Sequence, residues 1–334
     1  MKALITGGTG FLGRNLANRL QQLDYDVTVL SRNETIGMDL VQKGFRFIRA
    51  DLRDSGQINQ AVAGMDYVFH CGALSTPWGR FPDFFAINVN GTENVINGCL
   101  FHGVRRMIHI SSPSIYFEYR NKLNVTESDP LPHRMVNDYA KTKYLAEERI
   151  DHAFCAGLPV ITLRPRALFG PGDTTIFPRL IIANQKSGIP MIDNGGVLMD
   201  LTYVENVVES IVLAIDSPPA TLGKKYNISN GTPVPFKNLL EKLFSKLGLT
   251  LRTRNISFSS AYLGALFMES LYKTFLPKKE PPFTCYSVGT LSKTITLDIS
   301  AAQRELGYNP KISIDEGLEL FVNWWKENND KHHS

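Results

Sequence analysis

No stretch of this chain interleaves lysine and arginine with aromatics, and a net charge of +4 with a pI near 8.7 is mild, so nucleic acid is not expected as a partner. The small positive excess suits an anionic small molecule instead. Cys71, Cys99, Cys155 and Cys285 are widely spaced and form no CxxC, which fits reduced thiols rather than a disulfide frame or a zinc site, and no metal is expected. A strand that begins at the second or third residue leaves no room for the n-region and h-region of a signal peptide, so the expected compartment is the cytoplasm. There is no internal repeat and no low-complexity tract. What remains is an ordinary globular composition of 334 residues, 43% hydrophobic and 20% charged, enough to bury a sizeable core in one large domain or two lobes.

The chain is organised around its first thirteen residues, MKALITGGTGFLG. Ala3, Leu4 and Ile5 read as a buried strand, and Phe11, Leu12, Leu16 and Leu20 recur at helical spacing, so the glycines occupy a strand-to-helix turn. In that context Gly7 permits a tight turn, Gly10 lets the backbone reach a pyrophosphate, and Gly13 lets the helix pack close to the strand. Thr9, Phe11 and Leu12 complete the cradle, with free N–H groups and the positive helix end facing the phosphates. The plain alternative is an ordinary glycine-rich turn.

Asp26–Leu30 reads as a second strand, and its end is where such folds meet the adenosine ribose. An acidic residue there would accept from both ribose hydroxyls; here stand Ser31 and Arg32. A hydroxyl and a guanidinium suit a 2′-phosphate, which favours NADP over NAD; the alternative is Arg32 as a solvated loop charge. After a third strand, Phe45–Ile48, the Asp51 carboxylate is placed to accept from an adenine amino group while Leu52 packs on the ring, or else Asp51 or Asp54 caps the next helix. Met65–His70 is a fourth strand ending in Cys71, Gly72 and Ala73, small residues against which a cofactor can lie. The loop Leu74–Phe81 is placed to wall a substrate pocket, with Trp78 either lining it or plugging the core. Phe84–His102 reads as a helix carrying Asn88, and Met107–Ile110 as a fifth strand. Strands alternating with helices through short loops predict an α/β, doubly wound parallel sheet with ligands at the carboxyl ends of its strands.

The fifth strand runs into Ser111-Ser112-Pro113-Ser114-Ile115-Tyr116, and a later helix opens with Tyr139 and Lys143 four apart on one face. An unperturbed phenol has a pKa of about 10, and bringing it near neutrality takes about three units, or roughly 4 kcal/mol. A cation about 5 Å away at an effective dielectric near 20 supplies about 3 kcal/mol. Lys143 is thus expected to make Tyr139 a usable acid or base, with an oxidised nicotinamide adding the rest. The alternative is a solvent-facing YxxxK on an amphipathic helix.

These residues together, TGGTGFLG, Asp51-Leu52, Ser112, Tyr139-x-x-x-Lys143, and Arg164-Pro165 followed by Gly170-Pro171-Gly172, resemble the extended short-chain dehydrogenase/reductase superfamily over nearly the whole chain. Trp78-Gly79, Ser112-Pro113-Ser114, the run Arg164–Asp173 and Glu280-Pro281-Pro282-Phe283 are similar to its 3β-hydroxysteroid dehydrogenase and 2-alkyl-3-oxoalkanoate reductase branch. The resemblance implies a Rossmann-type NAD(P)-binding domain (1–164 with 199–229), a smaller C-terminal substrate-binding lobe (165–198 with 230–330) and a tail (331–334). It implies that Tyr139 is the general acid or base, that Lys143 lowers its pKa and holds the nicotinamide ribose, and that Ser112, chosen over Ser111 for its spacing to Tyr116, hydrogen-bonds the reacting oxygen. Asn88, Pro165 and Leu168 join the implied cofactor contacts, and Trp78, Ser114, Tyr116, Arg166 and Tyr203 the implied substrate contacts. A homodimer through the helices bearing Asn88 and Tyr139 is also implied. The expected substrate is a hydrophobic ketone or secondary alcohol, sterol-like or long-chain 3-oxo or 3-hydroxy acyl. Nucleotide-sugar epimerases or dehydratases with bound NAD are the nearest alternative, but Ala167 stands where they tend to carry an asparagine for the sugar-nucleotide diphosphate, and alanine has no side-chain donor. A non-enzymatic NADPH-binding interaction subunit is the third.

Further along, Val160–Leu163 reads as a sixth strand, Phe177–Ser187 as a helix, Asp200–Val208 as a return to the sheet with Tyr203 near the cleft or in the core, and Lys225–Ile228 as a short strand. Residues 256–276 match a bilayer in length, but Glu269 and Lys273 interrupt them, and a charge mid-span costs roughly 2.5 to 3.5 kcal/mol. They read either as a hydrophobic cap of the lobe or as an interfacial helix, with Lys278 and Lys279 suited to anionic headgroups. Asp298–Trp325 reads as a capped helix, a stop at Gly307 and a last helix.

Overall fold

The computed structural model describes residues 1–276 and 279–329. Lys278 and the tail at 331–334 lie outside the described residues. Five strands open the chain: β1 (Lys2–Thr6), β2 (Asp26–Ser31), β3 (Arg46–Arg49), β4 (Tyr67–His70) and β5 (Arg106–Ile110). Between them run α1 (Phe11–Gln22), α2 (Glu34–Gln42), α3 (Ser55–Val62), α4 (Phe81–Phe84) and α5 (Gly91–His102). Then come β6 (Lys122–Val125), α6 (Asp138–Cys155) and β7 (Val160–Pro165).

The lobe begins with β8 (Leu168–Phe169), α7 (Phe177–Lys186), β9 (Ile189–Ile192), β10 (Leu198–Met199) and β11 (Thr202–Tyr203). The chain then crosses back through α8 (Val204–Ile215) and β12 (Lys225–Ile228). It ends in β13 (Val234–Pro235), α9 (Phe236–Leu247), β14 (Thr253–Ile256), α10 (Phe258–Phe275), α11 (Cys285–Thr290), β15 (Ile295–Leu297), α12 (Ser300–Leu306) and α13 (Ile314–Asn329).

Seven strands form one sheet in the order β12-β7-β5-β4-β1-β2-β3, and every neighbouring pair is parallel. The fold is therefore the expected Rossmann-type α/β arrangement. The connection order reverses at β1, between β2 and β4, which is where a doubly wound sheet opens its ligand crevice. Strand residues alternate between two cores. Ala3, Ile5 and Ile108 pack with Leu16 and Leu20 of α1 and Val207 and Ile211 of α8. Leu4, Val68 and Met107 pack on the opposite face with Ile58 of α3, Val95 of α5 and Ile150 of α6. Each such fully buried aliphatic stabilises the sheet by about 1.5–3 kcal/mol. A third core, built on Phe177, Leu240, Phe244 and Phe321, holds the lobe.

Two elements differ from the sequence reading. Thr202–Tyr203 does not rejoin the main sheet; it pairs with β8, and from Val204 the chain is helical, because Val204, Val207, Val208 and Ile211 recur at helical spacing and fill a buried face. The helix carrying Asn88 begins at Phe81 and passes through a π turn at Phe85–Asn90, an irregularity that concentrates at functional sites.

Candidate active site

The turn after β1 is closed to side chains. Gly7 sits at φ +66°, and a Cβ there would lie 2.6 Å from the Gly72 Cα; a Cβ at Gly13 would lie 2.5 Å from the Gly7 carbonyl oxygen. Gly10 is the N-cap of α1 and supplies no side-chain cap, so the first amides of the helix stay available. A backbone-lined cradle at a helix N-terminus, on the carboxyl edge where the sheet order reverses, fits a dinucleotide pyrophosphate. Phe11 and Leu12 are half-buried beside it, and Thr9 is tied to Ser31 by a 2.6 Å hydroxyl contact.

At the adenosine end the Arg32 side chain is 59% exposed, 3.8 Å from Asp51. Asp51 is gripped by Arg53, with Nη2 donating to Oδ2 at 2.6 Å and Nε to Oδ1 at 3.0 Å. That hydrogen bonding holds its carboxyl down to about 2. Two guanidinium groups therefore share one carboxylate, which fits a phosphate better than a free acceptor for adenine. The helix-capping role belongs to Asp54 alone, which accepts from the Gln57 N–H at 3.0 Å. Leu52 packs under Gly72, and Ala73 follows at the edge of the crevice.

Asn88 departs from the expected cofactor contact. It accepts from the Leu74 N–H at 2.7 Å and donates to the Leu74 carbonyl at 3.1 Å and the Thr142 hydroxyl at 3.1 Å. Its amide therefore braces the cleft loop against α6. The π turn presents it to both partners.

Ser112 follows β5 as the N-cap of the short helical turn Pro113–Tyr116, and its Oγ accepts from the Ser114 N–H at 3.2 Å, leaving the hydroxyl proton to donate toward Tyr139. Asn137 caps α6 by accepting from the Ala140 N–H at 2.8 Å, which fixes Tyr139 and Lys143 one turn apart. The buried Lys143 Nζ donates to the Ile110 carbonyl at 2.8 Å, between α6 and β5. Burial pushes the Tyr139 phenol up to about 12; a hydrogen bond with Ser112 pulls against it and the Tyr286 phenol adds to the rise. Burial likewise draws Lys143 down to about 8, with Glu147 and Cys71 opposing.

Burial thus dominates both groups, and the Lys143 charge is not among the causes that shift Tyr139, against the expectation that Lys143 brings the phenol toward neutrality. Beneath them His70 and His109 stack at 5.4 Å. Burial first, then the Lys143 charge, holds His70 down to about 3 and His109 far below its usual range, so neither adds positive charge next to Lys143.

Of the substrate candidates, two are corrected. Tyr116 is fully buried and its hydroxyl donates to Asn227 at 3.1 Å while accepting from Arg164. Tyr203 is 1% exposed and packs on Phe169 at 5.6 Å. Both are core. Trp78 is half-buried, with the Lys273 ammonium over its ring at 5.5 Å, and the same loop is fastened to the lobe through Glu280, which accepts from Thr76 at 3.3 Å and Arg179 at 3.0 Å. Ser114 is buried, and its hydroxyl has no hydrogen-bond partner among the described residues. Pro165 ends β7, Arg166 follows it half-buried, and Leu168 opens β8. Tyr286 of α11 was not anticipated. It packs with Tyr116 and Phe117 and acts on both Tyr139 and Arg166. Only the capped turn after Glu280-Pro281-Pro282-Phe283 marks its place in the sequence.

Residues 4–259 match the model of the 3-beta hydroxysteroid dehydrogenase/isomerase family. The chain belongs to this family. This 3β-hydroxysteroid dehydrogenase-type protein is 34% identical to a 2-alkyl-3-oxoalkanoate reductase of Stenotrophomonas maltophilia, covering 95% of this chain and 97% of that one. It is 32% identical to the decarboxylating sterol-4-alpha-carboxylate 3-dehydrogenase of Mus musculus, covering 96% and 90%. The UDP-glucose 4-epimerase of Thermotoga maritima shares its fold, with a TM-score of 0.80 at 20% identity over 98% of this chain and 100% of that one. The protein is thus an enzyme of the extended short-chain dehydrogenase/reductase superfamily, an NAD(P)-dependent oxidoreductase acting on CH–OH groups.

Proposed function

We propose that this family member interconverts a ketone and a secondary alcohol on a hydrophobic substrate, long-chain 3-oxo or 3-hydroxy acyl or sterol-like, with NADP preferred to NAD. The observation that carries the reading is the convergence of Ser112, Tyr139 and Lys143 beside the Gly7–Gly13 cradle at one sheet edge. A bound nicotinamide dinucleotide would supply or accept the hydride at C4 of its ring. The cradle residues Gly7, Thr9, Gly10, Phe11, Leu12 and Gly13 would hold its pyrophosphate, Ser31 and Arg32 its adenosine end, and Gly72, Ala73, Pro165 and Leu168 would flank the nicotinamide half. In reduction Ser112 donates to the substrate oxygen, and Tyr139, protonated across the neutral range, delivers its proton there. Lys143, anchored on Ile110, keeps two N–H donors for the ribose. The sugar-nucleotide alternative is disfavoured by Ala167.

The test is dinucleotide consumption with long-chain 3-oxo compounds and sterol ketones, beside thermal shifts with UDP and dTDP sugars. Stabilisation by the sugars, with no oxidation of NADPH or NADH by the ketones, would overturn the reading.

A peripheral membrane contact belongs to the same proposal. Among the described residues no helix is long and apolar enough to cross a membrane. In α10 Ala265 alone is buried, whereas Leu263, Phe267 and Phe275 are 65, 70 and 71% exposed. With Lys273 and Lys279 beside them, these residues suit an interfacial helix at the cleft entrance. A homodimer through α5 and α6 and a cytoplasmic setting complete the reading.

A further inference from the structure

Beside the glycine turn lies a group of buried polar side chains that the proton transfer does not use. Thr6 and His70 are partners in register on β1 and β4 and so face the same side of the sheet. Thr92 of α5 meets them there, and all three are at most 1% exposed. They adjoin Cys71–Leu74, a segment that leaves β4 without regular structure. This segment abuts the glycine turn: a Cβ at Gly72 would lie 3.2 Å from the Gly7 nitrogen and 2.9 Å from Leu52 Cδ1.

Counting protons gives the group a direction. The Thr92 hydroxyl donates its one proton to the Asn88 carbonyl at 2.6 Å. At its 2.9 Å contact with His70 it therefore accepts, which assigns the ring hydrogen to Nε2. Burial, and after it the Lys143 charge, keeps the imidazole neutral, so Nδ1 is bare and accepts from the Thr6 hydroxyl at 2.7 Å. Thr6 in turn accepts from the Gly72 N–H at 3.2 Å. From Gly72 through Thr6, His70 and Thr92 to Asn88, each member donates to the next. The Asn88 side chain closes the circuit by holding both the N–H and the carbonyl of Leu74. One ring tautomer thus fixes both ends of the segment that borders the crevice.

We propose that His70 is a positioning residue for dinucleotide binding: by joining Thr6 to Thr92 it holds Gly72–Leu74 against the glycine turn in the shape that the cofactor needs. The proposal rests on the dinucleotide reading above. His70 moves no proton in the reaction.

Thr6 and Thr92 share no hydrogen bond with each other; His70 joins them. The experiment is a double-mutant cycle on the full chain, read as dissociation constants for NADPH and NADH by fluorescence titration. Thr6→Val and Thr92→Val keep the side-chain shape, and each should weaken both dinucleotides about tenfold. The double variant should lose about the same tenfold and not a hundredfold. His70→Leu should reproduce the loss and make both threonine substitutions silent, while His70→Gln, which retains a donor and an acceptor, should recover part of it. The threonine variants should melt within about 4 °C of the parent. Threonine losses that multiply, unchanged dissociation constants, or a loss of binding that tracks a collapse in melting temperature would overturn the role of His70 and leave the oxidoreductase reading intact. Binding of neither dinucleotide by the parent would overturn both.

Discussion

Arg164 and Arg166 stand two residues apart at the end of β7, and their surroundings differ in every respect that matters to a charge. Arg164 is 3% exposed and its Nε donates to Glu147 at 2.9 Å, while further N–H groups reach Glu147 and the Tyr116 hydroxyl. Tyr116 passes the chain of bonds to Asn227, and Asn227 to the Val125 carbonyl at 2.9 Å. The polar cavity of about 400 Å³ beside α6 is lined in part by paired charges, with Lys225 on Asp151 at 2.6 Å and Arg164 on Glu147. Arg166 has none of this. A buried charge with all its donors satisfied is architecture; among the described residues the Arg166 Nε is buried without a hydrogen-bond partner, and the Asp200 charge acts on it from a distance. Glu147 belongs to both regions, since it pairs Arg164 and supports the charge on Lys143.

The largest expected effect lies on the cleft side. Tyr139→Phe should lower turnover by about 10²–10⁴ with dinucleotide binding and thermal stability kept; an active variant would remove the chemical half of the contrast. On the structural side, Arg164→Leu should cost about 3–5 kcal/mol by stranding Glu147, read by urea unfolding, and adding Glu147→Leu should recover much of it. A loss below 1 kcal/mol would mean the network is ornamental.

The shared residue gives a pH test. With Lys143 at about 8 and Tyr139 protonated well above that, reduction should fall about tenfold per pH unit above 8 as the ammonium is lost. Glu147→Gln removes an interaction that raises Lys143, so the alkaline limb should move to lower pH; an unmoved limb would detach Lys143 from the network. Arg32→Ser should weaken NADPH about tenfold relative to NADH, and equal losses for both would assign Arg32 to the solvated surface. Smaller still, Phe267→Glu should reduce co-sedimentation with anionic liposomes severalfold without changing turnover; no binding by the parent would retire the membrane contact.

The parts legible in the sequence were those written in local patterns. The glycine turn, the five opening strands and the Tyr139–Lys143 spacing each occupy a short window with a clear period, and the sheet followed from their alternation. What escaped depended on partners distant in the chain. Tyr116 and Tyr203 carry polar groups that look available until Arg164, Asn227 and Phe169 close over them. Asn88 became a brace because Leu74 and Thr142 meet it, and Asp51 was taken by Arg53. Asp200–Val208 misled because β-branched valines suit strands in isolation, whereas here they pack as a helix face. Tyr286 lies far from Tyr139 in sequence and belongs to no motif.

The contrast between an arginine locked into the fold and its neighbour left without a hydrogen-bond partner among the described residues is tested most directly by thermal unfolding of Arg166→Gln beside Arg164→Leu. Removal of a half-buried guanidinium that makes no hydrogen bond among the described residues should leave the melting temperature of Arg166→Gln at or above that of the parent while Arg164→Leu melts well below it. A comparable fall in both variants would contradict the account.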